Sequence, residues 1–169
     1  MTVRELFPPG GRRAAYVIPD EPAPSRFQHL VVTPTATFLG VMLGGSLVGL
    51  PWMVFNGYAM GSARRHREAA WALGTLLGLL LLLAGLVILL LYDLVQPSWV
   101  PYVGLGLHAV RLAGAYVVLL SQQQSFELYV HFGGRVSPRG WTVALLLMVL
   151  RVYVAARFPE GILALLVRY

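Results

Sequence analysis

The sequence contains no cysteine and no lysine, and each absence excludes a class of chemistry. Without cysteine there are no disulfides, iron–sulfur clusters, thiolate zinc sites or cysteine nucleophiles. Without lysine there is no Schiff-base chemistry, and all 13 basic residues are arginines. With only seven acidic residues and one asparagine, the side chains of a hydrolase or transferase site are also scarce. We therefore expect no enzyme and no cofactor or metal site.

Apolar residues, by contrast, are abundant. They make up 57% of the 169 residues, charged residues make up 12%, and the mean hydropathy is +0.70. Such a composition indicates a membrane protein. The formal charge of +6 comes from arginines that lie along apolar stretches and in the loops between them, so we expect anionic lipid headgroups rather than nucleic acid as the acidic partner.

Four apolar stretches predict an all-α bundle of about four transmembrane helices. Their bounds are about 35–61, 69–92, 102–120 and 141–158, and the Leu79 to Leu83 block makes the second the clearest. Prolines prevent a long helix in residues 1–34, which we predict to be an extended tail that docks on protein or membrane. We predict short interfacial segments at 121–140, between the last two spans, and at 159–169.

The first stretch allows two interpretations. It contains residues that permit a bend, namely Gly44, Gly45, Gly49, Pro51, Asn56 and Gly57. A single crossing gives four spans and places both termini outside by the positive-inside rule. A re-entrant pair of half-helices instead places the tail and the Arg64 cluster together on the cytoplasmic side. We favour four crossings.

Small residues recur at four-residue spacing in the first two stretches. The pairs are Gly40 with Gly44, Gly45 with Gly49, Gly57 with Gly61, and Gly74 with Gly78. This spacing puts glycines on one helix face and lets two backbones approach closely in lipid. We predict that these faces form either an oligomer seam or contacts between the chain's own helices.

Arg111 and Arg151 fall near the middle of the third and fourth stretches, where an arginine is costly. His108 shares a helix face with Arg111. No acidic residue of the chain is expected at this depth. We predict an intramembrane polar site in which the arginines snorkel, meet a partner's carboxylate or carbonyls, or line a path for anions or lipid headgroups. A fourth possibility is that the third helix begins at Arg111 and continues through Ser121 to His131, which would put Arg111 at the interface and bury the glutamines.

Further charged residues are expected at the membrane interface. These are Arg64, Arg65 and Arg67 after the first stretch, and Glu127 and His131 in the segment before the last. Glu127 and His131 are four residues apart and would meet on one face of a helix. We interpret them as part of a solvated interfacial helix rather than as a metal or acid–base pair.

These features predict a non-catalytic protein of a bacterial-type inner membrane that acts through assembly. It would be an accessory subunit of a larger membrane complex or a self-associating bundle, with other subunits or its own copies as partners. The alternative is an oligomeric pore whose lumen is lined by Arg111 and Arg151 and favours anions.

Overall fold

The computed structural model describes residues 25–157. In this part of the chain all regular secondary structure is helical, and there are no strands. Two three-residue 3-10 turns, at Gln28–Leu30 and Pro97–Trp99, accompany five α-helices. The helices are α1 (Pro34–Gly44), α2 (Ser46–Met60), α3 (Arg65–Leu91), α4 (Val100–His131) and α5 (Gly140–Arg157). The expectations for most of the tail and for the segment 159–169 lie outside the described residues.

The first apolar stretch is a helical hairpin and not one continuous helix. The chain breaks at Gly45, whose φ of 86° and ψ of 171° lie outside the helical region and favour glycine. The two arms pack so closely that a Cβ on Gly49 would collide with the backbone of Val41. At the open end of the hairpin, Asn56 near the end of α2 is hydrogen-bonded to Val32, just before α1. The hairpin thus begins and ends at the same end of the described chain, so residues 35–61 are not one continuous helix, and the prediction that they make a single crossing is not confirmed.

Three helices are long and apolar enough to cross a membrane, namely α3, α4 and α5. They have 27, 32 and 18 residues, and α3 is unbroken over nearly all of the predicted second span. The hairpin arms, with 11 and 15 residues, are about 16 and 22 Å long, shorter than a hydrocarbon core of about 30 Å. The described chain therefore has the features of a membrane protein, and four full crossings are not confirmed.

Helix α4 is much longer than the predicted third span of 102–120. It continues through the polar residues expected to form a separate interfacial segment and ends before Gly133, which has a φ of 82°. The polar side chain of Gln122 explains the continuation, because it is fully buried and donates hydrogen bonds to protein groups on α2 and α3. The segment 121–131 is thus part of α4, and only 132–139 forms the connection to α5.

The hairpin lies between the α3–α4 pair and α5. The main core joins residues from α1 to α4: Val41, Leu50, Met53, Ala72, Ala115, Val118 and Leu119. Helix α5 packs mainly on α1 and runs parallel to it, with Gly140 beside Val32 and Ala36 and with Leu147 beside Gly44. Because Ser137 donates a hydrogen bond to the carbonyl of Val31, the loop before α5 also lies at the open end of the hairpin.

Candidate functional site at the hairpin tip

The tip of the hairpin is held by Arg151. Its Nη1 donates to the carbonyls of Met42 (3.4 Å) and Leu43 (3.3 Å), in the last turn of α1. The last carbonyls of a helix have no partner within the helix and carry the negative end of its dipole. A guanidinium supplies both hydrogen bonds and positive charge to them. Backbone carbonyls were among the expected partners of Arg151, but we had expected them from another subunit.

Arg111 is close to this tip but is enclosed by protein. Its side chain is 5% exposed, and its guanidinium is near enough to that of Arg151 for the two charges to interact. His108, one turn earlier on α4, interacts electrostatically with both arginines. The three predicted residues of the intramembrane site are therefore brought together from α4 and α5, although Arg111 and Arg151 are 40 positions apart in the sequence. This is the most strongly charged region in the middle of the bundle.

A cavity of about 130 Å³ adjoins the tip. It is lined by Gly44 and Gly45 at the bend, by Leu47 and Val48 in the first turn of α2, and by Arg151 and its apolar neighbours on α5. The first-turn amides of a helix lack intrahelical acceptors. The tip thus combines helix ends of opposite polarity beside a small, mostly apolar cavity.

The predicted glycine faces have two different environments. A Cβ on Gly40 would meet the ring of Trp52, one on Gly44 would meet Leu147, and one on Gly49 would meet Val41. These three glycines therefore serve packing within the chain, and Gly45 forms the bend. A Cβ on Gly74 or Gly78 meets nothing within 4 Å, so the oligomer seam stays a prediction for this pair on α3.

The predicted interfacial residues lie at the open end of the hairpin. Arg64 donates to Gln124 (2.6 Å), and the guanidinium of Arg65 lies over the ring of Tyr58, 5.7 Å from its centroid. Arg67 is exposed. Glu127 and His131 are both exposed near the end of α4, and His131 makes an edge contact with the ring of Phe132. Within residues 25–157, no three His, Asp or Glu side chains are grouped to hold a metal ion.

Sequence reasoning missed Glu68, which is 1% exposed near the start of α3. Its carboxylate accepts hydrogen bonds from Ser62 Oγ (2.8 Å) and from Gln122 Nε2 (3.2 Å). Gln122 also donates to the carbonyl of Met53 (2.6 Å). This buried polar cluster joins α2, α3 and α4. The available signal was the run of three glutamines after Ser121. A third helix that extends through them brings Gln122 into contact with Glu68 on α3.

Comparisons of the chain with known protein families, with curated proteins and with solved structures found no match.

Proposed function

We propose that this chain is a non-catalytic integral membrane protein that acts through assembly, as an accessory subunit of a larger membrane complex or as a self-associating bundle. Its partners would be other membrane subunits or copies of itself in a bacterial-type inner membrane. The uncovered glycine face of α3 carries this proposal, and the hydrogen bonds of Arg151 within its own chain support it.

The glycine face comprises Gly74, Gly78 and Gly85. At 100° per residue the three lie within about 40° of one another around α3. A Cβ added at any of them meets nothing within 4 Å, while Leu77 and Leu81 beside them are at least half exposed. Small residues on an open face let a second helix approach closely, which provides packing energy where lipid removes the hydrophobic driving force. This face would suit a neighbouring transmembrane helix.

The positions of the arginines favour assembly over the pore. A lumen lined by Arg111 and Arg151 would need both guanidinium groups to face water. Arg111 is instead 5% exposed, and Arg151 donates to the carbonyls of the hairpin tip. Both arginines thus serve the internal structure of the chain, so we expect no conductance from the purified protein in a planar bilayer.

Charge distribution supports an orientation for the described chain. Six arginines lie in or beside the segments at the open end of the hairpin: Arg26, Arg64, Arg65, Arg67, Arg135 and Arg139. The opposite end of the described chain has Asp93 and Arg157. By the positive-inside rule the open end would be cytoplasmic. A hairpin that returns to its starting side puts the segments before α1, after α2 and before α5 on that one side.

The assembly proposal is tested by blocking the glycine face. The double variant Gly74→Leu, Gly78→Leu should lower the copy number or remove neighbours of the chain in a mild-detergent extract, as measured by native mass spectrometry and cross-linking. Gly106→Leu is the matched control, because Gly106 on α4 is equally open and lies on another helix. A native chain that is monomeric without neighbours, or a double variant that assembles normally, would contradict the proposal.

A further inference from the structure

A second surface, independent of the glycine face, lies between α2 and α3 near the open end of the hairpin. It is an apolar groove of about 380 Å³. Its walls include Pro51, Val54 and Phe55 of α2 and Ala69, Leu73 and Leu76 of α3. Its volume is within the range of small-molecule sites, and its lining offers no specific polar contact along its length. An occupant of the groove must therefore be apolar.

The groove ends in a cluster of polar side chains. One turn beyond Phe55 toward the open end is Tyr58, and one turn before Ala69 are Arg65 and His66. The Arg65 guanidinium lies over the Tyr58 ring, and Tyr58 Oη is 3.2 Å from His66 Nδ1. These contacts fix the head of the groove as one unit. Tyr58 and His66 are exposed and Arg65 is half-buried, so the unit is accessible from the membrane surface.

We propose that this surface binds one anionic phospholipid, with an acyl chain in the apolar groove and the headgroup phosphate at Arg65. The order of the two parts fits a lipid in the membrane, since the apolar groove extends inward from the end of the bundle that bears the arginines. A guanidinium binds phosphate oxygens through several N–H donors, and Tyr58 and His66 add further hydrogen-bonding groups.

Charge complementarity selects an anionic lipid. Arg64 and Arg67 lie at the same end of the bundle as the head of the groove, while the carboxylate of Glu68 is buried on another side of α3, against Gly57 and Gln122. The local charge is therefore positive. A zwitterionic headgroup would bring its own cation toward Arg65 and would gain less.

The experiment titrates the purified chain with phosphatidylglycerol or phosphatidylcholine in detergent and counts retained lipids by native mass spectrometry. We expect one tightly retained phosphatidylglycerol. Arg65→Gln should weaken its retention about fivefold, the effect of one arginine near an anionic surface. Arg67→Gln is the matched control, because Arg67 is an exposed arginine two residues away that is not in contact with Tyr58. It should weaken retention by less than half as much.

Four results would overturn the inference. Equal losses in the two arginine variants would mean that the lipid responds only to surface charge. Equal retention of phosphatidylcholine would remove the role of Arg65. The third result concerns the groove. Ala69→Phe should fill the groove and displace the lipid while leaving the headgroup cluster intact. If this variant melts normally and retains the lipid undiminished, the acyl chain lies elsewhere. Soluble glycerol phosphate should not compete, and full competition would likewise exclude the groove.

Discussion

The side-chain amide of Asn56 forms two hydrogen bonds with the backbone of one residue, Val32. Val32 N donates to Asn56 Oδ1 (2.9 Å), and Asn56 Nδ2 donates to the carbonyl of Val32 (3.1 Å). Both residues are buried and lie 24 positions apart. The chain's one asparagine thus closes the hairpin at its open end, where it satisfies backbone groups that precede α1.

We expect Asn56→Ala to destabilise the fold. It leaves the buried N–H and carbonyl of Val32 without these partners, and each such loss costs about 1–3 kcal/mol. Asn56→Asp keeps the acceptor for Val32 N, and its protonated carboxyl also supplies an O–H donor for the carbonyl of Val32. This variant should therefore cost less stability at a pH that protonates the new carboxyl. The measurement is the thermal midpoint in detergent, and an unchanged midpoint in Asn56→Ala would show that the pairing adds nothing.

We expect Arg151→Leu to loosen the hairpin tip. The carbonyls of Met42 and Leu43 would lose a charged donor, and hydrogen bonds to charged groups contribute about 1.5–3 kcal/mol. Arg151→Lys should restore part of this stability, since an ammonium supplies charge without the planar fork. Hydrogen exchange at residues 42–48 should rise in Arg151→Leu. Arg139→Leu, at an exposed loop position, is the control, and equal exchange in both variants would argue against the contact.

Two glycine substitutions should have opposite effects. A Cβ at Gly49 would collide with the Val41 backbone, which cannot move aside as a flexible side chain does, so Gly49→Ala should separate the arms of the hairpin and lower the thermal midpoint. A Cβ at Gly106 meets nothing within 4 Å, and alanine is the better helix former by about 1 kcal/mol. Gly106→Ala should therefore be neutral or stabilising. Similar midpoints for the two variants would contradict the close packing of the arms.

The proposed orientation can be tested with single cysteines, because the native chain has none. In intact cells, Ser98→Cys, in the connection between α3 and α4, should react with a membrane-impermeant maleimide. Pro138→Cys, in the exposed loop before α5, should react only after the cells are permeabilised. The opposite pattern would show that the chain has the reverse orientation. Labelling of both variants in intact cells would show that no membrane separates the two ends.

The parts of the fold that follow from local composition could be predicted from the sequence. The apolar length around Leu79 to Leu83 is enough to predict a long helix, and α3 is one. The hairpin was only an alternative, because a bend at Gly45 is favoured by a contact between Val32 and Asn56 that local patterns do not encode. Similarly, the sequence predicts that Arg151 lies within an apolar helix, but its carbonyl partners lie more than 100 residues away in the sequence. Glu68 could not be found from its local sequence, because its burial depends on the extension of α4 to Gln122.

The separation between Arg151 and the hairpin tip has a consequence for biosynthesis. The carbonyls of Met42 and Leu43 lie 109 and 108 positions before their donor, so the hairpin has left the ribosome long before Arg151 is synthesised. At about 5–20 residues per second, this interval is roughly 5–20 s. During that time the polar bend at Gly45 lacks the group that stabilises it in an apolar environment. We therefore expect the hairpin to settle to its final depth only after α5 has been inserted, so that the first helices to be made are the last to be completed.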